Sequence, residues 1–170
     1  MNVPVLKKDG VEADDIIGTL AVRAQNEGLN TYIVSGDKDF MQLINENIFL
    51  YAPGTKKSPN PIIYDSKKVE DKWGVPPEKI IDLLGLMGDS SDNVPGVSGV
   101  GEKTAVKLIK KYGSLDGALE NADQVSNKRA RTGLQEGVEN ARLSQDLVTI
   151  MLDVEINSSL DDFISAKMNN

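Results

Sequence analysis

Neither histidine nor cysteine occurs in the 170 residues. Their absence removes the Ser–His and Cys–His nucleophile systems, and with them the ligands that a zinc site prefers. It also removes any disulfide framework, in keeping with a reducing, cytoplasmic setting. Aromatic residues make up only 5% of the chain. No apolar run approaches the roughly 18 residues that a membrane span requires. The opening MNVPVLKKDG has no apolar stretch of the kind a secretory signal carries. Basic residues are in the minority, with 19 Lys and Arg against 26 Asp and Glu and a net charge of −7. Such a balance argues against coating nucleic acid over the whole surface, but it leaves room for a local basic patch.

What is plentiful is carboxylate, the donor that suits hard ions such as Mg²⁺ or Mn²⁺. Hydrophobic residues at 39% are enough for a folded core. Apolar residues at helical spacing predict a helix over 12–27, stopped by Gly28. TYIV (31–34) predicts a buried strand, followed by a loop at SGDKD and a short helix over 38–44. NIFLYA and IIYD predict further strands, separated by the exposed turn PGTKKSPNP, and a short helix begins near Ser66. From there the β signals stop. PPEKIIDLLGLMG opens with prolines suited to a first helical turn, and helices are predicted over 102–112, 114–121 and 137–152, with another near Gln124. The expected organisation is an α/β front lobe (1–65), an all-α back lobe (66–155) and a weakly ordered tail (156–170).

Three acid groups stand at the edges of these elements. VEADD supplies Glu12, Asp14 and Asp15 at a helix start, SGDKDF supplies Asp37 and Asp39 past a strand, and GDSSDN supplies Asp89 and Asp92 past a helix. Each alone is accounted for by dipole compensation or turn formation. Together, seven such carboxylates in one crevice would repel unless cations neutralised them. Two divalent ions about 3.5–4 Å apart are the device for in-line phosphodiester cleavage. An EF-hand does not fit, because Ser91, Val94 and Val100 fall where that loop requires an acid, a glycine and a glutamate.

GVSGVGEKT (96–104) is not a phosphate-binding P-loop, since Glu102 intrudes before Lys103 and the run follows a helix. It reads as a tight hairpin between two helices. Gly96, Gly99 and Gly101 would let a phosphate approach the backbone, and the free N–H groups of the next helix would face it. Lys103, Thr104, Lys107 and Lys110 or Lys111 extend that surface along the helix, opposite Val106, Ile109 and Tyr112. NKRAR (127–131) adds further basic charge. Contacts of this kind hold a nucleic acid backbone without reading its sequence.

VEADDIIGTLA, SGDKDFMQL, WGVPPEKIIDLLGLMGDSSDNVPGVSGVGEKTA and YGSLDGALEN together resemble the 5′-nuclease domain of bacterial DNA polymerase I, within the flap endonuclease-like superfamily. The resemblance implies a 5′→3′ exonuclease and structure-specific flap endonuclease that removes RNA primers and displaced 5′ strands. It implies a partial PIN-like sheet in the front lobe and a helix–hairpin–helix in the back lobe. Glu12, Asp14, Asp15, Asp37, Asp39, Asp89 and Asp92 would be metal-ligand acids, with Glu12 and Asp14 leaning to one site and Asp89 and Asp92 to the other. The hairpin would grip duplex DNA behind a flap or nick and is a candidate for a K⁺ ion. In the family, a first strand with its own Asp and a basic helical arch precede the matched region, and a polymerase domain follows. The resemblance is therefore to the C-terminal part of the nuclease domain, and the isolated chain is expected to bind duplex DNA and to be a poor nuclease. The alternatives are a non-catalytic helix–hairpin–helix binding module and a Mg²⁺-dependent phosphatase for small esters. The second phosphate-holding surface weighs against the phosphatase.

Overall fold

The computed structural model describes residues 4–56 and 58–164; Lys57 of the predicted turn and residues 165–170 of the predicted tail lie outside them. Helix α1 (Ala13–Asn26) buries Asp15, Ile16, Gly18, Thr19 and Ala21 on one face. Three strands follow in spatial order β1–β2–β3. β1 (Thr31–Val34) runs parallel to β2 (Ile48–Ala52), with Ile33 opposite Leu50, and β3 (Ile62–Tyr64) pairs antiparallel to β2. The connection from β1 to β2 contains a 3-10 helix, Asp39–Leu43, within the short helix that the sequence predicts over 38–44.

The expectation of a buried β1 is corrected. Only Ile33 is buried, while Tyr32 and Val34 are 55% and 70% exposed. A β-branched run specifies an extended backbone, but whether both faces are covered depends on what lies beside it. β1 forms the outer edge of the described sheet.

α2 (Ser66–Trp73) starts where the Asp65 carboxylate accepts the Lys68 N–H at 2.8 Å. A 3-10 turn with Pro77 in its first position leads into α3 (Ile80–Met87), whose Ile80, Leu83, Leu84 and Leu86 are almost wholly buried. α3 is the central post of the molecule. It packs on α4 (Glu102–Tyr112), α5 (Leu115–Glu120), α7 (Val138–Val148) and the 3-10 helix at Asp39. Because α3 touches both the front and back segments, the buried core is continuous from Ala21 to Ile150, across the expected boundary at residue 65.

Two further departures from expectation matter for the site. NKRAR is the cap and first turn of a helix, α6 (Lys128–Glu136), whose Asn127 side chain accepts the Ala130 N–H. The last long helix, α7, ends at Val148 rather than 152, because the chain beyond it runs extended along α1. There Met151 N–H donates to Asp15 Oδ1 at 2.8 Å, Val154 N–H donates to Thr19 Oγ1, and Arg23 donates to the carbonyls of Val154 and Ile156. The start of the expected loose tail is therefore tied down, and Leu160–Phe163 forms a 3-10 turn closed by a Ser159–Asp162 capping box.

Candidate metal and nucleic-acid site

The three acid groups approach one another around Asp39, although among the described residues no three acids stand close enough to hold a metal ion. A cleft of about 340 Å³ is lined by Glu12, Asp14, Asp15 and Asp39, together with the end of α7 and the extended segment after it, from Asp146 to Met151. On its other side, the Lys38 ammonium lies within 3.9 Å of Asp39 and within 3.8 Å of Asp92, and it forms a close ion pair with Asp89. Asp37 adjoins this second group and acts on Asp39 through its charge. All seven sequence-predicted acids thus belong to one linked set, in two groups that share Asp39.

Local hydrogen bonds hold one oxygen of several of these carboxylates. Asp14 Oδ1 accepts the Asp15 N–H, Asp37 Oδ1 accepts the Asp39 N–H, and Asp89 Oδ1 accepts the Ser91 N–H, each at 2.9 Å. Asp15 is 6% exposed, and its Oδ1 holds Met151, so it braces the cleft as well as lining it. Asp39 Oδ1 is buried and has no hydrogen-bond partner. Gln42 pins the Asp39 segment, donating to the carbonyls of Asp39 and Val148 at 2.8 Å and accepting from Ile150 N–H. Lys38, Gln42 and Asp146 were not singled out from the sequence. For Lys38 the signal is present, as a cation flanked on both sides by predicted ligands; Asp146 lines the cleft beside the chain after α7, which bonds to α1 far away in sequence.

Electrostatics follow from this crowding. Burial, reinforced by the neighbouring charge of Asp37, pushes the Asp39 carboxyl up to about 6. The Lys38 hydrogen bond holds Asp89 down at about 2, while Asp89 in turn raises Asp92. Burial works against the charge on Lys38, but its bond to Asp89 and the charges of Asp39, Asp89 and Asp92 raise it above the ordinary lysine value. Asp39 keeps its proton to about pH 6 when folded, whereas the ordinary value is 3.8. Between those values the folded state binds more protons, so stability falls as pH rises through that window. Asp39→Asn is therefore expected to stabilise the metal-free chain above pH 7 by about 1–2 kcal/mol, after allowance for solvent screening. It should have no such effect near pH 4; urea denaturation at the two pH values checks this.

The second pair of acids sits on a loop tied at its neck. Asp89 and Val94 exchange both backbone hydrogen bonds, at 2.9 and 2.8 Å. Gly88 and Gly96 have φ of +71° and +62°, and a Cβ on Gly96 would lie 2.4 Å from the Gly88 nitrogen. Gly96 N–H donates to the buried Ser144 Oγ at 2.8 Å. Gly96 thus closes the acid loop, and its amide is committed inside the protein. Gly99 packs its backbone against Arg129 of α6. Gly101 is different: φ is −95° and a Cβ there would meet nothing within 4 Å. Beyond it, Lys103 and Lys107 are exposed on α4 and Thr104 is half-buried, while Ala105, Leu108 and Ile109 face the core.

Both halves of the chain match known domains. Residues 1–74 match the 5′-3′ exonuclease N-terminal resolvase-like domain, and residues 75–170 match the 5′-3′ exonuclease C-terminal SAM fold. The chain is 44% identical over 168 residues to DNA polymerase I of Rhizobium leguminosarum, covering 99% of this chain and 16% of that protein. It is 47% identical over 150 residues to DNA polymerase I of Bacillus subtilis, covering 88% of this chain and 17% of that protein. A 5′-3′ exonuclease of Aquifex aeolicus is 39% identical over 160 residues, with 94% of this chain and 52% of that protein covered. The chain therefore spans under a fifth of these two polymerases and about half of the exonuclease. Among solved structures, the zinc-bound 5′-exonuclease of phage T5 shares the fold, with a TM-score of 0.76 at 21% identity, over 87% of this chain and 53% of that one. With both halves of the domain matched in order along its length, the chain belongs to the 5′-3′ exonuclease family.

Proposed function

We propose that this chain supplies the cation-binding acids and the duplex grip of a 5′→3′ exonuclease and flap endonuclease acting on DNA with a 5′ flap or nick, RNA primers included. The observation that carries the reading is that five carboxylates from the other two acid stretches gather on either side of Asp39, beside a hairpin whose helix exposes Lys103 and Lys107. The residues fit hard divalent cations. Among the described residues the buried Asp39 Oδ1 has no hydrogen-bond partner, with only the Lys38 ammonium at 3.9 Å, and the clamped Asp14, Asp37 and Asp89 each keep an oxygen clear of those backbone bonds. Glu12, Asp14 and Asp15 with Asp39 would hold one ion, and Asp37, Asp89 and Asp92 with Asp39 the other.

Two Mg²⁺ or Mn²⁺ ions there would activate the attacking water and neutralise charge developing on the scissile phosphodiester. The side chains' part is to hold the ions, and none has to act as general base, which suits a chain without histidine. Lys38, displaced from Asp89 by an ion, would be free to turn its ammonium to a substrate phosphate. Gly101 and the first turn of α4 would hold the duplex backbone, with the hairpin turn as the proposed seat of K⁺. A polymerase domain in the same polypeptide is the proposed partner, as in the relatives' names.

One observation favours the binding-module reading. Among the described residues no group of three or more acids stands close enough to hold a metal ion. Three carboxylates reach Lys38 at up to 3.9 Å, whereas Mg²⁺ requires about 2.0–2.1 Å, so ion binding must draw them inward. Incubation with a 5′-flap duplex decides between the readings. Cleavage in Mg²⁺ that stops in EDTA and in Asp37→Ala supports the nuclease; salt-dependent binding with no turnover in either ion supports the module. Gly101→Ala separates the grip from the fold. It is expected to leave the melting temperature unchanged and to weaken duplex binding several-fold, measured by fluorescence anisotropy.

A further inference from the structure

We propose that the segment Ser126–Arg129 forms a second phosphate-contacting surface, joined to the hairpin, so that α6 as well as α4 grips the DNA backbone. This inference rests on the duplex-binding reading above and assigns it residues that the hairpin alone does not include.

Two concavities flank the segment. One, of about 310 Å³, is lined by Thr104, Lys107 and Lys111 of α4 together with Ser126 and Asn127. The other, of about 410 Å³, is lined by Ser98 of the hairpin together with Lys128, Arg129 and Thr132, with Glu136 two turns along α6. A short stretch of chain thus touches the lysine stripe of α4 on one side and the hairpin loop on the other. The join is close. A Cβ on Gly133 would fall 1.8 Å from the Ser98 carbonyl oxygen, and one on Gly99 would fall 2.6 Å from Arg129 Cγ. Loop and helix are in backbone contact.

The charges on this surface have no carboxylate partner, although the Lys111 ammonium lies over the Tyr112 ring at 4.8 Å. Lys107, Lys111, Lys128 and Arg129 are exposed, and among the described residues none forms an ion pair with a carboxylate. Lys128 and Arg129 also occupy the first turn of α6, which carries no acid. Cations at that end oppose the helix dipole. A chain with net charge −7 has acids to spare for the position. Local conflict of this kind is expected where a surface meets an anionic partner. The spread of the cations along a ridge, rather than around one enclosed point, fits the repeating phosphates of a nucleic acid backbone better than a single small anion.

The test is the salt dependence of duplex DNA binding by the 170-residue chain in EDTA, followed by anisotropy. Each phosphate contact contributes about 0.9 to the slope of log K against log salt. Lys128→Gln/Arg129→Gln is expected to reduce that slope by about 1–2, with the glutamines preserving much of the stem that packs on Gly99. Lys103→Gln/Lys107→Gln serves as the comparison for the hairpin stripe. An unchanged slope in the α6 pair beside a reduced slope in the α4 pair overturns this inference and leaves the hairpin reading standing. Slopes unchanged in both pairs, or no salt-dependent binding by the native chain, overturn both. If the α6 pair melts at a lower temperature, Lys128→Gln alone decides, with an expected reduction of about 0.9 and an unchanged slope as the contrary result.

Discussion

Asp39→Asn is expected to weaken Mn²⁺ binding in both groups of the acid cleft, whereas Asp92→Asn and Asp14→Asn each weaken one. The asymmetry follows from position. Asp39 lines the cleft with Glu12, Asp14 and Asp15, and it also faces the Lys38 ammonium alongside Asp89 and Asp92. Removing even an outer partner of a metal ligand costs about 10–100-fold in affinity, so loss of a carboxylate shared by two ions should cost at least that at each. Cleavage of a flap substrate should fall by about 10²–10³-fold, the scale of losing one group that stabilises transition-state charge. Asp39→Asn should do this while making the metal-free fold more stable, because burial and Asp37 disfavour its charge. Mn²⁺ titration followed by electron paramagnetic resonance reads the two groups as two classes of site. Equal effects of Asp39→Asn and Asp92→Asn would remove the shared position from the account.

Gly96→Ala is expected to destabilise the chain by more than about 3 kcal/mol, a large share of the roughly 5–15 kcal/mol that holds a domain folded. Two independent costs add. The residue sits at φ +62°, where an L side chain is strained, and its Cβ would lie 2.4 Å from the Gly88 nitrogen and 2.6 Å from the Met87 carbonyl carbon. Those atoms are backbone at the end of α3, so no side-chain rotation relieves the overlap. The neck of the loop carrying Asp89 and Asp92 would open, and the Gly96 N–H bond to Ser144 would be lost. Urea denaturation measures the first effect. A stability within about 0.5 kcal/mol of the native chain would show that the neck is not closed in this way.

Much of the helical framework was legible in the sequence. α4 has the predicted limits, since its apolar face is regular and Gly113 ends it at φ +84°. The three acid groups were legible too, because each lies at the end of an element, where a side chain can point away from the core. α6 was missed because KRARTGLQE offers only Ala130, Gly133 and Leu134 to the core, too few for a helical stripe. Its one clear local signal was the cap at Asn127. The sequence predicts α7 too long because its apolar pattern continues past Val148, while what ends the helix is distant: the backbone of 150–154 bonds to Gln42, Asp15 and Thr19. The sequence presents the hairpin glycines as one set, yet they divide by tertiary context. Gly96 faces Gly88, Gly99 faces Arg129, and only Gly101 faces open space. That division depends on which segments pack together, and residue spacing alone does not carry it.

Anomalous diffraction from crystals grown in Mn²⁺ probes the heart of this account. Two manganese peaks are predicted, one between Asp39 and the Glu12–Asp14 edge, the other between Asp39 and the Asp89–Asp92 loop with Lys38 turned aside. Crystals without manganese in that cleft, or with Lys38 still paired to Asp89 and Asp39 bound to no ion, would contradict it.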